Sequence, residues 1–162
     1  MAIDATVGGA ASNSYGTLAE ASTFIDTRLN RDAWEDADPA DQERALISAT
    51  RWLDEFDYIG DIATNTQALK WPRIDNDIFD LVWDDDEIPP KLKTAQFLFA
   101  FLELTPGVAL SSDLGVSDGI ISSLTVGPVT VRYDTSATSD LMQVPGEIAR
   151  MLRGLWLPAV LA

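Results

Sequence analysis

The 162-residue sequence contains no cysteine and no histidine. Without cysteine there is no disulfide scaffold, no thiol nucleophile and no thiolate zinc site. Without histidine the commonest metal ligand and general base are missing, so Ser-His-Asp chemistry is excluded. Positive charge is scarce: eleven Lys and Arg stand against twenty-six Asp and Glu, a formal net charge of −15. Phosphate binding needs clustered cations. The close sets Lys70 with Arg73, Lys91 with Lys93 and Arg150 with Arg153 read as helix borders or local ion pairs. Long apolar runs are missing too. The longest, Phe97 to Leu102, falls far short of the ~20 residues a membrane span requires. The opening MAIDATVGGAASNS has neither the basic start nor the apolar stretch of a secretory signal, so a soluble chain made in the cytoplasm is expected. No Gly-rich phosphate loop, GxSxG elbow or HExxH motif occurs, and neither an enzyme activity nor a cofactor is expected.

What is present suits one compact domain: 46% of the residues are hydrophobic, in a chain too short for two comfortable domains. Residues 1–16 are small, polar and glycine-bearing, the composition of an extended N-terminal arm, and residues 17–162 make up the single helical domain. A first helix begins at Thr17, with Glu20 at capping-box spacing and Leu18, Ala21, Phe24 or Ile25, and Leu29 at helical intervals. A second has Asp38 as N-cap and Pro39 as first residue, and its stripe runs through Ala45, Leu46 or Ile47, Ala49, Trp52 or Leu53, and Phe56. Residues 57–88 hold no sustained period and form a long ordered loop. A third helix starts at Pro89 or Pro90 and closes at Pro106-Gly107. Between Phe97 and Leu102 it is apolar on every side, hence buried on every side, in part by another subunit. SLTVGPVTVRYD alternates strictly, and a Gly127-Pro128 turn sets Val126 opposite Val129 and Leu124 opposite Val131. This hairpin, over about residues 120–134, is marginal alone and needs a surface to lie on. A terminal helix carries Ile148, Met151, Leu152 and Leu155 and ends near Pro158. The fold class is therefore mainly α: a small helical bundle with an inserted β-hairpin and a short C-terminal helix.

Two stretches invite functional readings. From Asp75 to Glu87 there are seven acids and no cation, a composition that suits a hard metal ion or a metal-dependent hydrolase. Phe79, however, stands where an EF-hand needs an oxygen ligand, and no glycine follows it. A solvated acidic loop is the simpler reading. Among the loop tryptophans, only Trp71 has cations beside it, in Lys70 and Arg73, the pattern by which proteins stack single-stranded bases. Against that stands a fixed loop in which Trp71 plugs the bundle and Arg73 snorkels out to an acid.

In order, NSYGTLAEASTFIDTRL, ATRWLDEF, YIGDIATNTQALKWPRIDND, EIPPKLKTAQFLFAFLEL and VGPVTVRYD resemble the phage head-tail connector (adaptor, head-completion) proteins. That group includes a set labelled DnaT-like single-stranded-DNA-binding proteins. The resemblance covers about residues 13–157. It implies a structural virion protein at the head-tail interface: a homo-oligomeric ring of about twelve copies between the portal protein and the tail or a second connector. Genome DNA would pass through without specific binding, and no membrane is involved. It also implies that Gln67, Leu69, Trp71, Pro72 and Arg73 form a structural loop. One departure is Asp75-Asn76-Asp77, where relatives often carry glycine. The candidate subunit or portal interface comprises Phe97, Phe99 and Phe101 from the third helix, Leu124, Val126, Val129, Val131 and Tyr133 from the hairpin, and Leu155 and Trp156 from the terminal helix. In a ring, Asp84, Asp85, Asp86 and Glu87 are candidates for an acidic lumen that repels phosphate. The alternative is a single-stranded-DNA-binding replication accessory, which requires a basic, aromatic groove that the net charge opposes.

Overall fold

The computed structural model describes residues 2–75, 83–106, 123–126, 129–132 and 146–155. Helix α1 (Leu18–Ile25) starts with the reciprocal capping bonds that the Thr17/Glu20 spacing predicts: the Glu20 amide donates to Thr17 Oγ1 (3.2 Å) and the Thr17 amide to Glu20 Oε2 (2.7 Å). It stops at Ile25, before Leu29. The Thr27 hydroxyl takes the carbonyl of Phe24 (2.7 Å), Asn30 adopts φ 58°, and Leu29 is left 89% exposed instead of continuing the stripe. A single turn not read from the sequence follows, α2 (Asp32–Glu35), and it buries Trp34. Helix α3 (Pro39–Leu53) has Pro39 in its first turn, as expected, and buries Ala45, Leu46, Ile47, Ala49, Thr50 and Leu53. Phe56 lies beyond its end yet is also buried.

In the loop after α3, β1 (Asp61–Ile62) pairs antiparallel with β2 (Arg73–Ile74), Ile62 facing Arg73 in register. Gly60 enters this ladder at φ 80°, where a Cβ would stand 2.2 Å from the Ile74 carbonyl oxygen, so only glycine fits. Helix α4 (Pro90–Leu104) is the central element: it packs most extensively on α3, and also on α1, α2 and α5 (Gly146–Met151). Its Phe97, Phe99 and Phe101 are 5%, 2% and 8% exposed within the single chain. Trp52 stacks on Phe99 with centroids 4.3 Å apart. The all-round apolar character of α4 is therefore met by the chain's own helices, and the expected neighbouring subunit is not needed to cover it. Leu155 is likewise buried, with Ile148 and Leu152, beneath α5.

The hairpin strands β3 (Ser123–Val126) and β4 (Val129–Arg132) pair with Val126 opposite Val129 and Leu124 opposite Val131, the register that the alternation predicts. Tyr133 and Trp156 lie outside the described residues. Among the described residues, no helix is long and apolar enough to cross a membrane.

The N-terminal segment departs most from expectation. Instead of an extended arm, residues 2–16 fold back into a closed loop. Asp4 and Asn13 clamp its base: the Asp4 amide donates to Asn13 Oδ1 (2.9 Å), and the Asn13 amide to the Asp4 carbonyl (2.9 Å). The Ala68 amide donates to the Gly9 carbonyl (3.0 Å), tying this loop to the segment before Trp71. Its last residues are core. Tyr15 is 2% exposed, and a Cβ on Gly16 would fall 2.5 Å from the Phe97 ring. Small residues here serve close packing, which composition alone reads as flexibility.

Candidate functional site

The Trp71-Pro72-Arg73 run closes on itself. Gln67 Nε2 donates to the Leu69 (2.7 Å) and Pro72 (3.0 Å) carbonyls, while Gln67 Oε1 accepts from the Thr64 amide (2.9 Å). The Trp71-Pro72 peptide is cis. Trp71 is 2% exposed and meets Tyr58 edge-on, with centroids 5.7 Å apart. Arg73 does not snorkel out. It is buried, with Nε donating to the Ile59 carbonyl (2.9 Å), Nη1 to Lys70 (3.2 Å), and Nη2 to the carbonyls of Tyr58 (3.3 Å) and Gly60. The guanidinium thus draws together the carbonyls of residues 58–60, ahead of β1, and of Lys70, ahead of β2, and its desolvation by burial lowers its pKa from the ordinary value. Beside the run, Tyr15 Oη donates to Asp54 Oδ1 at the end of α3, and burial raises the Asp54 pKa. Trp71 therefore presents no face to a ligand.

Asp84, Asp85, Asp86 and Glu87 form an exposed turn ahead of α4. Among the described residues, no group of three or more acidic side chains is arranged to hold a metal ion.

A different aromatic, Phe24, is only half-buried. Between α1 and α4 runs a cleft of about 480 Å³, walled by Ala19, Glu20, Thr23 and Phe24 on one side and Pro90, Lys93, Thr94 and Phe97 on the other. On each helix these positions recur at helical spacing, so each contributes one face. Phe97 forms the buried floor, and Phe24, half-buried, leans over it with centroids 6.0 Å apart at 43°. The Arg28 guanidinium carbon lies 5.9 Å from the Phe24 centroid, within cation–π range. Lys93 spans the lip to Glu20 at 2.8 Å, and the lysine, with the Thr17 cap, helps hold the Glu20 carboxyl below the usual value against its desolvation. The sequence signal for this site was present: Phe24 and Arg28 are one helical turn apart. It was unread because Phe24 looked like core and Lys93, on the facing wall, sits far along the chain.

Cations elsewhere are engaged locally. Arg31 pairs with Glu35 and Arg44 with Asp41, while Lys70 Nζ donates to the Phe56 carbonyl (2.7 Å) and lies 3.8 Å from Asp57.

Residues 1–160 match the family described as "Putative DnaT-like ssDNA binding protein". The chain belongs to that family. No match was found among curated proteins or solved structures. The family's description favours the DNA-binding alternative over the connector reading, to which the match lends nothing. In this DnaT-like chain Trp71 is sealed in the core, whereas Phe24 is half-buried with cations nearby.

One further ionisable group in this DnaT-like chain is set by the packing of α3 on α4. Glu103 Oε1 accepts from Ser48 Oγ (2.8 Å), while Oε2 is buried without a hydrogen-bond partner among the described residues, and desolvation raises its pKa. With the folded pKa above the unfolded value of about 4.3, the native state holds the proton more tightly. Stability from this group is full at acid pH and is lost as pH rises through the folded pKa. Glu103→Gln removes the charge and keeps the shape. In urea denaturation its stability relative to wild type should be greater at pH 7 than at pH 4. Equal differences at the two pH values would mean that Glu103 is as hydrated when folded as when unfolded.

Proposed function

We propose that this protein is a binding module, without catalytic chemistry of its own, that engages single-stranded DNA. The family match over residues 1–160 carries the reading. The surface sets its character: with a net charge of −15 and most cations engaged by neighbouring acids or carbonyls, few are available to phosphates. Attraction at a distance is weak, and binding must come from a small local site. Few counterions are released, so affinity falls with salt on a shallow slope, about −0.7 per phosphate contacted. Fluorescence anisotropy of a labelled oligo-dT at low salt tests this. Saturable binding at micromolar protein with a slope near −2 is expected, and no binding under those conditions would remove the reading.

The charge favours a second reading, in which about twelve copies form a head-tail connector ring in the virion, between the portal and the tail or a second connector. Acids lining a lumen would repel phosphate and let the genome slide, and the exposed Asp84–Glu87 turn is suited to such a wall. Supporting it are the acid surplus and the sequence resemblance. Imaging assembled particles tests it: density for this chain below the portal is expected, and absence from the particle would end it.

A further inference from the structure

Resting on the single-stranded DNA reading, we propose that the α1/α4 cleft is the nucleobase site: an unpaired base lies against Phe24, and Lys93, Arg28 and Lys91 take the flanking phosphates. Four observations carry this. The cleft, about 480 Å³, is of ligand size and apolar at its floor, where Phe97 is 5% exposed. Phe24 is half-buried and tilted from Phe97 at 43°, so parallel stacking does not consume its ring, and the guanidinium over it, Arg28 at 5.9 Å, would have to swing aside for a base. Base stacking on an aromatic ring with a cation close by is the general means of holding a single strand without reading its sequence.

The third observation is charge complementarity, present locally despite the acidic whole. Lys93 stands on the lip, Arg28 borders Phe24, and Lys91 is exposed on the same turn of α4, though not among the residues that wall the cleft. Their acidic partners differ: Lys93 makes a full 2.8 Å bond to Glu20 Oε1, whereas Arg28 is held loosely. Arg28 is 3.4 Å from Glu147, longer than a strong charge-assisted bond. Glu20, the partner of Lys93, also accepts the Thr17 amide through its Oε2. Lys93 can therefore turn to a phosphate while Glu20 keeps its capping bond. The fourth is contrast: the loop tryptophan with cations beside it in sequence, Trp71, is buried, and Arg73 is spent on carbonyls.

The test is oligo-dT anisotropy on the full chain, comparing wild type with Phe24→Leu, Lys93→Gln and, as a distant control, Arg44→Gln. Phe24→Leu keeps an apolar wall and removes the ring face, so binding should weaken roughly tenfold. Lys93→Gln should weaken it less and flatten the salt slope by about 0.7. Arg44→Gln should leave both unchanged. If wild type binds and both cleft variants bind equally well, the DNA reading stands and the cleft assignment is overturned. If wild type does not bind, both fall together. Sedimentation without DNA guards against another occupant. Should Phe24→Leu dissociate an oligomer while leaving DNA affinity intact, the cleft holds a second copy of the chain and the nucleobase assignment is wrong. Lys93→Gln, on the partly exposed lip, keeps the test decisive if Phe24→Leu melts early.

Discussion

Trp71→Ala should destabilise the fold by about 3–5 kcal/mol, the range for truncating a large buried aromatic, and should do so without selectively abolishing DNA binding. The side chain is 2% exposed and fills the space between Tyr58 and the loop that leads into β2. Its removal leaves a cavity between segments that the backbone holds apart: Gln67 staples one side, and Arg73 props the other by its bonds to the Ile59 and Gly60 carbonyls. Such a void cannot collapse, which places the cost toward the upper end. Trp71 Nε1 has no hydrogen-bond partner among the described residues, so Trp71→Phe forfeits volume but no polar contact and should retain much of the stability. Chemical denaturation with a midpoint near wild type for Trp71→Ala would show that the indole is not packed as described. Combined with failure to assemble, it would make Trp71 an interface residue.

The parts of this molecule legible in its sequence are those governed by local chemistry. Thr17 and Glu20 specify a cap whichever partners α1 later meets, and Pro39 and Pro90 fix the first turns of α3 and α4 through their φ angles. Strict alternation gave the register of β3 on β4, a backbone property that requires no knowledge of what lies beneath. Misreadings arise where a distant partner decides. Arg73 was expected to reach out to an acid, yet the segment before β1 aims the carbonyls of Tyr58, Ile59 and Gly60 at one point, and a buried guanidinium satisfies them. Leu29 fits a helical stripe but follows the Thr27 turn, so it points to solvent. The apolar girth of α4 suggested a neighbouring subunit, since the burial offered by α1, α2, α3 and α5 together emerges only from the tertiary arrangement. Of the α1/α4 cleft only the Phe24/Arg28 spacing was legible, for the same reason. Its walls are separated along the chain by α2, α3 and the long loop.

The same logic gives the other large effect, at a residue that no pattern singled out. Gln96→Leu should cost on the order of 3 kcal/mol, although it puts an apolar side chain into an apolar helix, because buried polar groups lose their partner. Gln96 is fully buried on α4, and its Nε2 lies 2.6 Å from Ser14 Oγ, 2.8 Å from Thr50 Oγ1 and 3.1 Å from the Leu46 carbonyl. Its Oε1 accepts the Gly16 amide at 2.9 Å. One amide thus ties the N-terminal loop to both central helices. Leucine leaves the Gly16 amide without this acceptor in a site closed by Phe97, and water has little room to replace it. Thr50 fares better, since its hydroxyl also donates to the Leu46 carbonyl (2.9 Å). The damage should therefore concentrate at the N-terminus: hydrogen exchange of the Asn13–Gly16 amides should accelerate more than that of mid-α3 amides. Gln96→Glu at pH 7 should be worse still, because it replaces the donor with a charge in the same buried site. If Gln96→Leu melts with wild type and exchange stays uniform, the N-terminal loop is held to the bundle by Tyr15 and by the Ala68–Gly9 bond, and the buried amide is not the tie that joins it.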